Sequence, residues 1–491
     1  MNNFFLYLKF FLKKTLQNSL IAYVVSFIIL LSLKKLNQKK KIKCLKFLIF
    51  SDKRWKASLD VLKNDQEIAL YKIPNKIIRF INTIFYARNF LNYSLNNQSY
   101  KTKKNINEEI AFDKPISLNY YMEKDKQIID ERKKKEEFIK IISKNLSNFA
   151  NIDCGITCGL KYTSEQAWAS GFHNGGIPFI SLFKEYSDHN TYQLEKRFDE
   201  YNKVKQKFPG TAIGVINENI KKVIKKKKLF LDNYVENVGN LRFDHIFSRK
   251  KKSNKKKSIT LFMSTPFTTN LQPKKYARSL KSLDIYKLYF SEEHNEGFAK
   301  MFLNTYKIFI KSAEKNKDIN FYIKPKRLDL VTNKRYRKII EDFVKRVTGK
   351  NIKEIKNLKI TDENSLNLIE KSNNIICFNS TIVLESVALG VAPIVPIFDE
   401  PKTKYKKDIF YNEDKDIVYF VDTHNKYIKS IDLSLKNKLK LIKNKKKINS
   451  FFIKYLNCYN PDSRKQTILF IKKVIKGYKA NLFKQLNKST Y

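Results

Sequence analysis

The sequence predicts an α/β protein made of two successive parallel-sheet halves behind an apolar N-terminal helix. Three observations carry this expectation. From Ile42 onward, short apolar runs alternate with longer polar stretches of helix-compatible composition; a basic stretch at 249–257 divides that alternation in two; and residues 375–397 read strand, polar turn, helix, strand. With 491 residues, two or three domains of about 150 residues each are the natural expectation. An apolar content of 42%, of which 13 percentage points are aromatic, is enough to build their cores and excludes global disorder.

Taken in order, residues 1–41 form the first segment. No charge falls between Lys14 and Lys34, and residues 20–33 are almost wholly apolar. Phe4, Phe5, Leu6, Leu8, Phe10, Phe11 and Leu12, with Lys9, Lys13 and Lys14, suit a membrane interface, and Lys34, Lys35, Lys39, Lys40, Lys41 and Lys43 make the heavier basic flank, which belongs on the cytoplasmic side. The strongly apolar part is shorter than the roughly 20 residues a crossing prefers. The expectation is therefore attachment to the anionic surface of the cell membrane at its cytoplasmic face, by a single span or by interfacial binding. No small-residue cleavage site follows, so a removable signal peptide is not expected.

Residues 42–248 read as the first domain, with strands at 43–50, 152–156, 178–183 and 211–215, and a charged surface excursion at about 101–137. The boundary follows at 249–257, nine residues with seven charges and no apolar side chain. Residues 258–475 read as the second domain, with strands at 259–263, 319–323, 358–360, 375–378, 392–397 and 417–421, and residues 476–491 as a tail.

The net charge of +51 attracts polyanions, but Lys, Asn, Ile, Phe and Tyr are overused together, as an AT-rich coding sequence produces, and the lysines are scattered along the chain. Neither a zinc finger, an RNP-like aromatic pair nor a helix-turn-helix signature accompanies them, so a specific nucleic acid partner is not expected. Five cysteines, an odd number in a long chain, fit reduced thiols. With Cys154 and Cys158 unaccompanied by a second pair, and only five histidines, no metal site is expected.

The most informative segment is IICFNSTIVLESVALGVAPIVPIFDEP, residues 375–401. Asn379, Ser380 and Thr381 form a polar turn of helix-capping residues between a buried strand and a helix whose apolar positions are Val383, Leu384, Val387 and Ala388. Gly390 closes that helix. Free N–H groups and the helix dipole favour a phosphate at such a turn, and Glu385, one turn further in, is placed to accept ribose hydroxyls. A purely capping role for Ser380 and Thr381, with Glu385 in water, is the alternative.

This segment resembles the donor-binding signature of two-Rossmann (GT-B) transferases, whose polar turn, helix glutamate, glycine and proline line a nucleotide site. Asn379, Ser380, Thr381, Glu385, Gly390 and Pro393 stand at the matching positions. The run VGNLRFD, residues 238–244, resembles a G-N-P-R-F-D element of bacterial surface-carbohydrate biosynthesis proteins, with Leu241 in place of the proline and Arg242 and Asp244 retained. Residues 162–185, YTSEQAWASGFHNGGIPFISLFKE, resemble the same family's first-domain segment; Thr163 and Gln166 also have capping-box spacing. The run IKPKR at 323–327 resembles a donor-phosphate element in which Lys326 stands where a histidine is common.

The resemblance implies two Rossmann-like domains facing across a cleft, and a glycosyltransferase that uses a nucleotide-activated donor and a carbohydrate or lipid-linked hydroxyl acceptor to build a surface polysaccharide. It implies no cofactor and no metal. Glu185 is the candidate general base, with Glu165 and His173 as rivals. Asn379, Ser380, Thr381, Glu385, Lys324, Lys326, Arg327, Arg242 and Lys184 are the candidate substrate and donor contacts. A polyol-phosphate transferase using a CDP-linked donor, a nucleotide-sugar 2-epimerase and a nonenzymatic nucleic-acid-binding protein are the competing readings.

Overall fold

The computed structural model describes residues 15–37, 44–85, 126–160, 163–203, 208–230, 233–249, 258–263, 298–325 and 334–481. The chain divides into two units: residues 1–186, 194–244 and 456–491 form the first, and residues 187–193 and 245–455 the second. The basic run 250–257, Lys326 and Arg327 lie outside the described residues.

The first unit opens with α1 (Ser19–Ser32), capped by the Asn18 side chain, which accepts from the Leu20 N–H. The strands β1 (Lys34–Lys35), β2 (Leu45–Ile49) and β3 (Ile68–Lys72) follow, with α2 (Lys56–Lys63) between the last two and α3 (Asn75–Phe85) after them. Then come α4 (Lys126–Ala150), β4 (Cys154–Thr157), α5 (Thr163–Asn174), β5 (Phe179–Leu182), α6 (Thr191–Lys203), β6 (Ala212–Val215), α7 (Glu218–Lys226), β7 (Tyr234–Asn237) and α8 (Leu241–Phe247). Sheet order is β1-β3-β2-β4-β5-β6-β7, parallel throughout except for β1, which pairs antiparallel with β3. Strands β2 and β4–β6 coincide with expected apolar runs. Helix α4 already covers residues 126–137, however, so that part of the expected surface excursion is helical: Phe138, Ile139, Ile142 and Leu146 bury one stripe of it.

The second unit holds β8 (Ser258–Phe262), α9 (Ala299–Lys315), β9 (Asn320–Ile323), α10 (Lys334–Thr348), β10 (Leu358–Ile360), α11 (Ser365–Lys371), β11 (Asn374–Cys377), α12 (Ile382–Ala388), β12 (Ala392–Pro396), α13 (Glu400–Thr403), β13 (Tyr419–Val421), α14 (His424–Leu435) and α15 (Lys445–Leu456). Its described strands are all parallel, in the order β10-β9-β8-β11-β12-β13. Such a sheet is covered on both faces, which is why β8, β11 and β12 are buried along their whole length and read as mostly apolar runs, with Ser258, Thr260 and Asn374 as their buried polar members.

The last helix, α16 (Ser463–Lys479), returns to the first unit. Ile468, Phe470, Ile471, Val474 and Ile475 join Phe47, Leu70, Ile156, Ile180 and Ala212 in one apolar core. This corrects the expectation that the second domain runs through 475 with a tail behind it: the apolar face of α16 completes the first core. The junction is built by Val238–Asp244. Asp244, only 5% exposed, accepts from the Ser463 N–H at 3.1 Å and the Arg464 N–H at 2.7 Å, so a carboxylate satisfies two of the otherwise unpaired donors at the start of α16. Leu241, where the resembling element has proline, is the first residue of α8, a position that any residue with helical φ can fill. Gly239 sits at φ +77°, and a Cβ there would lie 2.7 Å from the Ser463 hydroxyl.

Among the described residues no helix is long and apolar enough to cross a membrane. The expected single span is not found there. Helix α1 has 14 residues, about 21 Å at 1.5 Å per residue, against a hydrocarbon core of about 30 Å.

Candidate active site

In a doubly wound sheet, ligands bind beyond the carboxyl ends of the strands where the winding direction reverses. Strand order locates that point in each unit. The first unit winds from β2 out to β3 and then back across to β4, so the reversal lies between β2 and β4. The second winds from β8 through β9 to β10 and then returns to β11, so it lies between β8 and β11.

At the first of these points the chain places Ser51 after β2 and Thr157 at the end of β4. Their hydroxyls both donate to the Glu165 carboxylate, Ser51 Oγ to Oε1 and Thr157 Oγ1 to Oε2 at 2.5 Å. Glu165 is in the first turn of α5 and only 4% exposed. Ser51 takes the left-handed conformation, φ +49°, at the tight exit from β2. Lys184 and Glu185 follow β5 on the same edge, their charged atoms 3.7 Å apart, and Lys184 Nζ also donates to the Arg54 carbonyl at 2.6 Å. Glu185 is half-exposed. These charges converge on Cys158, whose thiol is pushed up first by burial, then by Glu165 and more weakly by Glu185, while Lys184 and Arg54 pull it down.

His173 does not join them. It closes α5 at the opposite edge of the sheet, where its Nδ1 lies 2.9 Å from the hydroxyl of Thr211, the residue before β6, and where the Tyr478 hydroxyl donates to its carbonyl. Its ring packs edge-on against Tyr478, and burial pushes its pKa from 6.5 down to about 4. As a rival general base it is therefore corrected to a packing residue, neutral and remote from the carboxyl edge. Near the start of α5, Gln166 donates its amide to the Leu160 carbonyl at 2.6 Å, and the Thr163 side chain of the expected capping box lies outside the described residues.

The depressed pKa has a measurable consequence. The unfolded state takes up a proton below pH 6.5 and the folded state only near 4, so the stability associated with neutral His173 is complete above 6.5 and is lost as pH falls through that window. Urea unfolding should show a loss of about 2 kcal/mol at pH 5 relative to neutral that is absent in His173→Gln. An identical pH dependence in the two proteins would show that His173 protonates freely in the fold.

At the reversal of the second unit, β11 ends in the turn Asn379–Ser380–Thr381 and α12 begins. Asn379, at φ +43°, has both ends of its amide engaged: Nδ2 donates to the Asp408 carbonyl and Oδ1 accepts from the Phe410 N–H, each at 2.9 Å. This amide therefore clamps the 408–410 loop beside the turn. Ser380 Oγ accepts from the Ile382 N–H at 3.3 Å, and the Tyr411 hydroxyl donates to the Ser380 carbonyl at 3.4 Å. Thr381 is the N-cap residue, yet its hydroxyl makes no capping bond. Gly390, at φ +70°, ends α12 with paired bonds from the Gly390 N–H to Val387 and from the Val391 N–H to Ser386, a Schellman closure.

Glu385 is fully buried, neither in water nor at the surface, and its charge helps push up both the Cys377 thiol and the Tyr411 phenol, after burial itself. Lys324 stands at the carboxyl end of β9, one strand away from β8. Burial lowers its pKa and Asp362 opposes the change. With strands about 4.8 Å apart, Lys324 and the 380–381 turn are roughly 10 Å from each other along one edge. Arg242, on α8, and Lys184 belong to the first unit, whereas the residues of the 379–381 turn belong to the second.

The sequence pattern missed the Asp188–His189 pair. His189 Nδ1 is 2.8 Å from Asp188 Oδ1, both residues are buried in the second unit, and the imidazole lies against Phe410 with ring centres 4.4 Å apart. Asn190 and Gln193 hold this segment there through Asn412 and the Lys407 and Ile409 carbonyls. No local pattern at 188–189 signals the arrangement. Among the described residues there is no cluster of His, Cys, Asp and Glu able to hold a metal ion, and the five cysteines are free.

The fold and these two edges define a two-unit α/β protein with doubly wound parallel sheets. No family model and no curated protein matches the chain. Solved structures similar to it include UDP-GlcNAc 2-epimerase from Neisseria meningitidis bound to UDP-GlcNAc, 14% identical over 88% of this chain and 100% of that one with a TM-score of 0.44. UDP-GlcNAc 2-epimerase from Methanocaldococcus jannaschii is 12% identical over 87% and 99%, with a TM-score of 0.45. An α,α-trehalose-phosphate synthase (UDP-forming) from Burkholderia vietnamiensis is 10% identical over 89% and 98%, with a TM-score of 0.42.

Proposed function

We propose that the chain is a glycosyltransferase of the GT-B type, which moves a sugar from a nucleotide-sugar donor to a hydroxyl acceptor in surface polysaccharide biosynthesis. The observation that supports this reading most directly is the position of the Ser380–Thr381 turn at the winding reversal of the second sheet, on the same edge as Lys324 two strands away. There, backbone N–H groups, two hydroxyls and an ammonium group are the chemistry a diphosphate needs. The donor phosphates sit on this turn, with Lys324, Lys326 and Arg327 stabilising the departing charge. The acceptor belongs to the first unit, where Glu185 takes the proton of its attacking hydroxyl and Lys184 and Glu165 set the local charge. Neither cofactor nor metal is invoked.

Thr381→Val tests the donor site with little risk to the fold, because the threonine hydroxyl makes no capping bond and valine keeps its shape. Calorimetry with UDP, CDP and their sugar conjugates should show saturable binding that weakens about tenfold in the variant, the worth of one hydrogen bond to a charged group. Equal affinity in both proteins would remove the turn from the site. Incubation with labelled donors then separates sugar transfer from transfer of a polyol phosphate and from epimerisation of the free nucleotide sugar, since each yields a different product.

A further inference from the structure

Helix α1 carries two apolar stripes of different fate. Ala22, Val25, Ser26 and Ile29 recur at helical spacing, are at most 4% exposed and pack the helix against α4, and Gln17 just before it donates to the Ile84 carbonyl at the end of α3. Leu20, Tyr23, Val24, Phe27, Ile28 and Leu31 recur at the same spacing on the other side and are 47–74% exposed. A helix that is apolar all round is ordinarily covered all round. Six large apolar side chains in one unbroken stripe are instead left bare.

The occupant is indicated by charge. Lys34 and Lys35 are exposed immediately after the helix, Lys39, Lys40, Lys41 and Lys43 follow in sequence, and Lys9, Lys13 and Lys14 precede it, with no acidic residue anywhere in residues 1–51. Two copies of the chain meeting through this stripe would bring these clusters together, whereas an anionic bilayer neutralises them. The opposite stripe remains committed to α4, and the helix is too short to cross. We propose that the outer face of α1 lies in the plane of the membrane, inserting Leu20, Tyr23, Val24, Phe27, Ile28 and Leu31 among the acyl chains of an anionic leaflet while the inner face stays packed on the protein. The proposal does not depend on which reaction the chain catalyses.

Vesicle co-sedimentation of the full chain tests it, with phosphatidylcholine vesicles containing 30% phosphatidylglycerol beside vesicles of phosphatidylcholine alone. The intact protein should partition at least tenfold more strongly onto the anionic vesicles. Phe27→Glu/Leu31→Glu should reduce that partitioning at least tenfold with an unchanged melting temperature, because both side chains are already in solvent at 61% and 74% exposure. A second double variant, Phe27→Ser/Leu31→Ser, should weaken binding without adding negative charge and so isolates the apolar contribution. Undiminished binding by both variants would overturn the proposal and leave the lysines, or the segment before α1, as the membrane contact. Equal binding to neutral vesicles would overturn the anionic requirement. A dimer in lipid-free solution that both variants convert to monomer, with vesicle binding intact, would reassign the face to a second copy.

Discussion

Glu185→Gln should lower kcat by about 100-fold or more while leaving the donor affinity and the unfolding free energy near their starting values. General-base catalysis contributes roughly 10²–10⁴ in rate, and the amide keeps the size of the side chain while abolishing its basicity. The carboxylate is half-exposed, and its ion pair to Lys184 at 3.7 Å is the kind of partly solvated contact that adds little to stability. Steady-state rates with the donor identified by calorimetry, together with a urea titration, separate the two effects. Glu165→Gln provides the comparison. Its buried carboxylate accepts from both the Ser51 and Thr157 hydroxyls, so that substitution should disturb the fold more than Glu185→Gln does. A fall in kcat for Glu165→Gln alone, with Glu185→Gln fully active, would transfer the base to Glu165.

Asp244→Ala should cost about 3 kcal/mol of stability. Its two oxygens are the acceptors for the Ser463 and Arg464 N–H groups, and each buried donor left without a partner costs about 1–3 kcal/mol. Burial raises the pKa of Asp244 and the two N–H bonds oppose that rise, so the site is desolvated and the bonds are what make a carboxylate tolerable there. Asp244→Asn keeps one acceptor and should lose about half as much. Equilibrium urea unfolding measures both. A loss below about 1 kcal/mol for the alanine variant would mean that water replaces the carboxylate at the start of α16. A similar device operates in the second unit, where the two oxygens of Glu400 accept from Lys300 and Met301 at 2.7 and 2.9 Å at the start of α9.

Strands whose every side chain is buried were the legible ones. β8, β11 and β12 read as mostly apolar runs, broken only by Ser258, Thr260 and Asn374, because a two-sided cover demands apolar side chains. β7, YVEN, is an edge strand with all four residues half-buried, and β1 is two exposed lysines; neither carries a periodic signal. The destination of α16 was hidden for another reason. Its stripe of Ile468, Ile471, Val474 and Ile475 specifies an amphipathic helix but not which sheet it covers, and the Asp244 bonds that direct it span about 220 residues of sequence. Within the candidate site, the polar turn at 379–381 was visible from its cap residues and the following helical period. That Asn379 serves the 408–410 loop, or that His173 lies at the amino edge, follows only from the sheet order and from partners 29 and 38 positions away.

The return of α16 also bears on how the chain acquires its structure as it leaves the ribosome. Nearly all of the second unit is contiguous, 245–455, so it holds its core residues as soon as those have emerged. The first unit, although it begins the chain, lacks Ile468, Phe470, Ile471, Val474 and Ile475 until translation has passed them. The usual vectorial order, in which the amino-terminal domain matures first, is thereby reversed. A premature stop near 455 would release a protein whose later unit is complete and whose earlier one has an open apolar face, a substrate for chaperones and proteases although every residue of its seven-stranded sheet is present.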